Sequence, residues 1–90
     1  MQTITVDALK EILDAGEKIN LIDVREPHEH AEFNIGGLLL PLGHVQSMQI
    51  DEIEELKNQK VYFYCRSGNR SGQACLLLET MGFTDVVNVT

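Results

Sequence analysis

The sequence predicts an α/β domain built on a mainly parallel sheet, and three observations carry that reading. Runs rich in β-branched and aromatic residues recur at 19–24, 61–64 and 86–89, the pattern of buried strands. Segments with apolar residues at helical spacing lie between them. The connections are short, so successive strands run parallel through right-handed crossovers. Sheets of this kind hold their ligands at the carboxyl ends of strands, and residues leaving a strand end are the first candidates for chemistry.

The elements follow in chain order. Residues 2–4 form a short edge strand, and Thr5 offers a side-chain oxygen as an N-cap. Val6, Leu9, Ile12 and Leu13 then mark one face of a helix, with Asp7 in its first turn and Gly16 beyond its last. Residues 19–24 read as an inner strand running out at Asp23 and Arg25. Pro27, tolerated in a first turn, opens a short helix over 26–33, where Glu26 and Glu29 complement the dipole. Asn34, Ile35, Gly36 and Gly37 break it, and Leu38, Leu39 and Leu40 make a short buried strand closed by Pro41. The chain turns from Gly43, and Ile50, Ile53 and Leu56 mark another short helix ending near Asn58. A strand over 60–64, a helix over 71–81 closed by Gly82, and a last strand over 86–89 complete residues 1–90 as one domain. No internal repeat, linker or low-complexity segment interrupts it.

The stretch with the most chemistry joins the 60–64 strand to the following helix: Cys65-Arg66-Ser67-Gly68-Asn69-Arg70-Ser71. A cysteine at a strand end, facing a helix N-terminus, meets unpaired backbone N–H groups and the positive end of the macrodipole. A free thiol titrates near about 8.5, a helix terminus is worth roughly 0.3 to 2 kcal/mol, and one pKa unit is about 1.4 kcal/mol. The dipole alone therefore shifts the thiol by about one unit, and the flanking Arg66 and Arg70 add to it after screening. Cys65 is expected to be largely ionised at neutral pH, as thiols in electropositive pockets are. A strand-end cysteine that merely packs is the bland alternative. Two arginines, a glycine and two serines in one loop argue against it. Asp23 and Arg25, at the end of another inner strand, could share its rim.

Seven Lys and Arg against fourteen Asp and Glu give a formal charge of −7, which disfavours nucleic acid and anionic membrane surfaces as partners. Two of the seven cations sit in this one loop, so a small anionic substrate is expected. No apolar run is long enough to span a bilayer, and the first residues lack the pattern of a secretory signal, so the cytoplasm is the default. With two cysteines and no such signal, a disulfide is not expected; Cys75, among leucines on the helix, reads as core. His28 and His30, two apart on a helix, do not face one site, and they read as solvated surface groups. No metal and no cofactor are implied.

At these residues the sequence resembles the rhodanese family, specifically its single-domain sulfurtransferases. The matching pieces are Leu21-Ile22-Asp23-Val24-Arg25-Glu26-Pro27, then Glu29 with Glu32-Phe33-Asn34-Ile35-Gly36-Gly37, the stretch from Val61 to Ser71, and Met81-Gly82-Phe83-Thr84-Asp85-Val86. The resemblance implies a rhodanese-like fold and a thiosulfate sulfurtransferase type of activity. Cys65 would take a sulfane sulfur from thiosulfate or a similar donor, hold it as a persulfide and pass it to a thiol or cyanide. The acceptor thiol could belong to thioredoxin, glutathione or another protein. Backbone N–H groups from Arg66 through Ser67, Gly68, Asn69 and Arg70 to Ser71 would cradle the persulfide. Gly68 would allow the curvature, Arg66 and Arg70 would orient the anionic donor, and Ser67 and Ser71 could donate from their hydroxyls. Asp23 and Arg25 would support the loop or form a plain surface ion pair.

Asn34 and Gly36 stand where many members carry histidine and proline. The chain also stops at Thr90, where the family usually continues through a glycine pair into a last helix. Lacking that helix, one sheet face is expected to be incompletely covered, leaving a domain of marginal stability or one completed by association. Two other readings compete. A cysteine-dependent phosphatase or arsenate reductase places its arginine six positions after the cysteine; here Arg70 comes at position five and Ser71 at six. A noncatalytic rhodanese-like module, binding a partner or sensing oxidants, usually lacks the cysteine that stands here.

Overall fold

Strand alternation divides the apolar residues of this chain between two faces, and the helices follow that division. The computed structural model describes residues Met1–Thr90 as β1 (Gln2–Ile4), α1 (Val6–Asp14), β2 (Asn20–Asp23), α2 (Pro27–Glu32), β3 (Leu38–Leu39), α3 (Leu42–Gln46), a 3-10 segment (Asp51–Leu56), β4 (Lys60–Tyr64), α4 (Asn69–Thr80) and β5 (Asp85–Val89). The sheet order is β1-β5-β4-β2-β3, and all four neighbouring pairs are parallel. This is the α/β architecture with a parallel sheet expected from the sequence.

Ile22, Val24, Val61, Phe63 and Val86 face one way and pack with Ala74, Cys75 and Leu78 of α4, Val45 of α3 and Ile53 of the 3-10 segment. Leu21, Tyr62, Tyr64, Val87 and Val89 face the other way, against Leu9 with Ile12 and Leu13 of α1. Leu9, fully buried at the centre of α1, contributes about 2 kcal/mol through burial. The helix starts where the sequence places it, with the Ala8 N–H donating to Thr5 Oγ1 at 3.1 Å. On the α1 side Leu21, Tyr62, Tyr64, Val87 and Val89 are at most 9% exposed, and Ile4 of β1 is partly buried. A cavity opens beside Tyr64 and Val89. No helix is long and apolar enough to cross a membrane.

Three local differences from the sequence reading have physical causes. The turn from Gly43 is the short helix α3, held because Val45 is fully buried and Leu42 packs on the same core. The 38–40 strand is paired only at Leu38 and Leu39, with Leu38 exposed, and Leu40 is the buried member. Helix α4 begins at Asn69 rather than Ser71, because Gly68 takes a left-handed φ of 86° and caps it. The first helical bond, Gly72 N–H to Gly68 O at 3.0 Å, leaves the amides before it free for another partner.

Candidate functional site

Cys65 follows β4 directly, half-buried, with its sulfur turned toward the start of α4. The turn of Arg66, Ser67 and Gly68 is only three residues long, so the helix amides arrive close to that sulfur. The Gly68 N–H donates to Sγ at 3.1 Å and the Ser71 N–H at 3.4 Å; the Ser71 hydroxyl oxygen lies 3.4 Å from Sγ. Gly68 is required twice over. Its φ suits only a residue without Cβ, and a Cβ there would come 3.1 Å from Thr90 Cγ2. Burial pushes the Cys65 thiol up, but contacts with Ser71 and with the amides of Ser67 and Gly68 bring it below the ordinary cysteine value. Cradling amides of this kind stabilise an anion on the sulfur.

The arginines of the loop behave differently from one another. Arg66 is exposed, forms no ion pair and lines a cavity of about 380 Å³ that opens beside Cys65. Arg70 lies in the first turn of α4 and makes a bidentate pair with Glu29, Nη1 to Oε1 at 2.7 Å and Nη2 to Oε2 at 2.9 Å. That pair ties α4 to α2, where Glu29 also accepts from the Glu26 N–H at 3.0 Å. The Arg70 guanidinium holds the Glu29 carboxyl down to about 2. Ser67 and Asn69 are exposed, and Ser71 is fully buried.

Asp23 and Arg25 are not a plain surface pair. Asp23 is 0% exposed at the end of β2 and accepts from Arg25 Nε at 3.0 Å, Arg25 Nη2 at 2.8 Å and the Arg25 N–H at 3.0 Å. Burial pushes the Asp23 carboxyl up, yet the Arg25 and His30 hydrogen bonds outweigh it and the net shift is downward. His30 is thus not a simple solvated group. Its Nδ1 lies 2.8 Å from Asp23 Oδ2, so Nδ1 carries the proton that the carboxylate accepts. Arg25 Nη2 also donates to the Phe33 carbonyl at 2.6 Å, and its guanidinium lies 5.5 Å from the Tyr64 ring centroid. Tyr64 in turn donates its hydroxyl to the Gly36 carbonyl at 2.9 Å. Together these contacts fix the 33–36 segment as a wall of the cavity, with Phe33, Ile35, Tyr64 and Val89 supplying its apolar surface.

Sequence reasoning missed Glu29, His30 and Asn88 as members of this site. Asn88, on β5, donates from Nδ2 to Gly68 O at 3.1 Å and accepts from the Ser71 hydroxyl. A polar residue on the core-facing side of a valine strand is the signal that could have found it. No group of three or more His, Cys, Asp and Glu side chains is placed to hold a metal ion.

Comparison with known proteins gives a consistent picture. The chain is 41% identical over 88 residues to a Bacillus subtilis protein provisionally described as a sulfurtransferase, covering 96% of this chain and 82% of that one. It is 37% identical over 87 residues to a second Bacillus subtilis protein, provisionally described as a sulfur carrier, covering 96% of this chain. Only 45% of that second relative is spanned. A crystal structure of a Staphylococcus saprophyticus protein superposes with a TM-score of 0.82 at 31% identity, covering 99% of this chain and 86% of that one. The model of the rhodanese-like domain matches residues 5–90, and the chain belongs to the rhodanese-like family.

Proposed function

We propose that the protein is a sulfurtransferase that carries sulfane sulfur on Cys65. The observation that carries this reading is the convergence of the Gly68 and Ser71 amides on Sγ at the mouth of an open cavity. The names of the sulfurtransferase and sulfur-carrier relatives support it. The Cys65 thiolate attacks the outer sulfur of thiosulfate or a similar anionic donor; the donor's S–S bond breaks and sulfite leaves with the bonding pair. The resulting persulfide anion is held by the amides between Arg66 and Ser71. An acceptor thiolate or cyanide then attacks the outer sulfur, and the Cys65 thiolate is restored as the S–S bond opens.

The residues divide this work. Arg66, unpaired at the cavity, draws the donor's anionic oxygens toward Cys65. Arg70 shares its charge with Glu29 and acts mainly by anchoring the first turn of α4. Asp23, Arg25 and His30 support the wall, and no cofactor takes part. A thiol on a small molecule or on a protein serves as acceptor, in the cytoplasm on this reading, and residues 1–90 act as one domain. The test is mass spectrometry after incubation with thiosulfate. One added sulfur on Cys65, lost on treatment with cyanide and absent in Cys65→Ser, is expected. A wild-type chain that gains no sulfur contradicts the proposal.

A further inference from the structure

Asn88 is a buried amide, 5% exposed, on a strand whose other buried residues are all valines. Its two ends can be told apart by their partners. The Gly68 carbonyl only accepts, so the atom 3.1 Å from it is the amide nitrogen, Nδ2. The other end, Oδ1, carries no proton, so the Ser71 hydroxyl must donate to it. Space for this amide is kept by Gly72, where a Cβ would lie 3.1 Å from Nδ2. The hydroxyl has a single proton, and with that proton on Asn88 it turns a lone pair toward Cys65 Sγ, 3.4 Å away.

We propose that Asn88 is a positioning residue that holds the Ser71 proton away from Cys65 and ties the Gly68 carbonyl to β5. It deepens the reading of Cys65 as the reacting thiol and rests on it. In this arrangement the sulfur meets backbone amides as donors and the Ser71 hydroxyl as an acceptor. Contact with the Ser71 hydroxyl lowers the thiol only where that hydroxyl donates to Sγ; with its proton on Asn88 it favours the protonated thiol, and the amides are left to stabilise the thiolate. Attack on a sulfur donor draws charge off Sγ and relieves its repulsion with the lone pair. Asn88 thereby keeps the thiolate less satisfied, and more nucleophilic, than a fully donated cradle would.

The charged and titratable groups near Cys65 are Arg25, Glu29 and Glu32 from the segment after β2, Tyr64 of β4, and Arg66 and Arg70 beside the cysteine; α1 and β5 add only Val6 and Val89 to the cavity. None of these changes in the test, which follows alkylation of Cys65 by iodoacetamide against pH in the whole chain. In Asn88→Ala the freed hydroxyl donates to the thiolate, and the midpoint falls by about one pH unit. The same substitution made in a Ser71→Ala background gives no such fall. Ser71→Ala alone leaves the midpoint in place or lowers it slightly.

A midpoint that stays or rises in Asn88→Ala overturns the proposal, because simple loosening of the loop removes amide donors and raises it. A rise in Ser71→Ala also overturns it, since the hydroxyl would then be a donor in the native protein. Ser71→Ala decides the matter by itself if Asn88→Ala does not fold. Alkylation reads the thiol without any sulfur donor, so an unaltered titration with no sulfur uptake faults the proposed function instead.

Discussion

Two cysteines ten residues apart have opposite chemistry in this molecule, and the difference lies in what faces the sulfur. Cys65 follows β4 and meets Ser71 and the amides that open α4, which together outweigh the cost of its half-burial. Cys75 sits one and a half turns into the same helix, 0% exposed among Ala74, Leu78 and Phe63. With no donor to offset it, burial pushes the Cys75 thiol up to about 12. Burial raises both thiols; only hydrogen bonds directed at the sulfur reverse the sign. The opposite shifts of the two thiols are a property of the helix terminus rather than of the residue type.

Three substitutions sharpen or break that contrast, taken from the largest expected effect down. Cys75→Ser places a hydroxyl in the core without a partner and costs about 2 kcal/mol, read from denaturant unfolding, while sulfur uptake stays intact. Lost uptake in the folded variant would make Cys75 part of the chemistry. Arg66→Ala removes the unpaired cation near Cys65 and raises KM for thiosulfate about fivefold, the worth of one exposed charge contact. An unchanged KM in steady-state assays would take Arg66 out of donor binding.

The smallest effect concerns acid. Glu29 has a folded-state pKa of about 2 against an ordinary value of 4.5, so its pair with Arg70 stabilises the fold above 4.5. That stability is lost as pH falls from 4.5 toward 2. Thermal melts across this window show a steeper decline for wild type than for Glu29→Gln. Equal slopes would mean that the α2–α4 tie adds nothing to the frame around Cys65.

Much of this frame was legible in the residues. The parallel α/β order, Thr5 as a cap, Cys65 between strand and helix, and Cys75 in the core all follow from local pattern, because each depends on neighbours within a few positions. What escaped depends on contacts across the sheet order. Glu29 and Arg70 are 41 positions apart, Ser71 and Asn88 are 17 apart, and both pairs form because tertiary packing brings their elements together. Helix α3 escaped for a similar reason. Gly43 reads as a turn, and only the burial of Val45 against α4 makes the segment helical. The roles of Arg66 and Arg70 looked alike in the sequence, and Glu29 is what separates them.

The most direct measurement follows both cysteines in one sample, alkylating the folded protein across a pH series and quantifying each site by peptide mass spectrometry. The account predicts that Cys65 reacts with a midpoint below that of a free thiol while Cys75 stays unmodified until the chain is unfolded. A Cys65 midpoint at or above the free-thiol value, or equal labelling of the two sites, would contradict it.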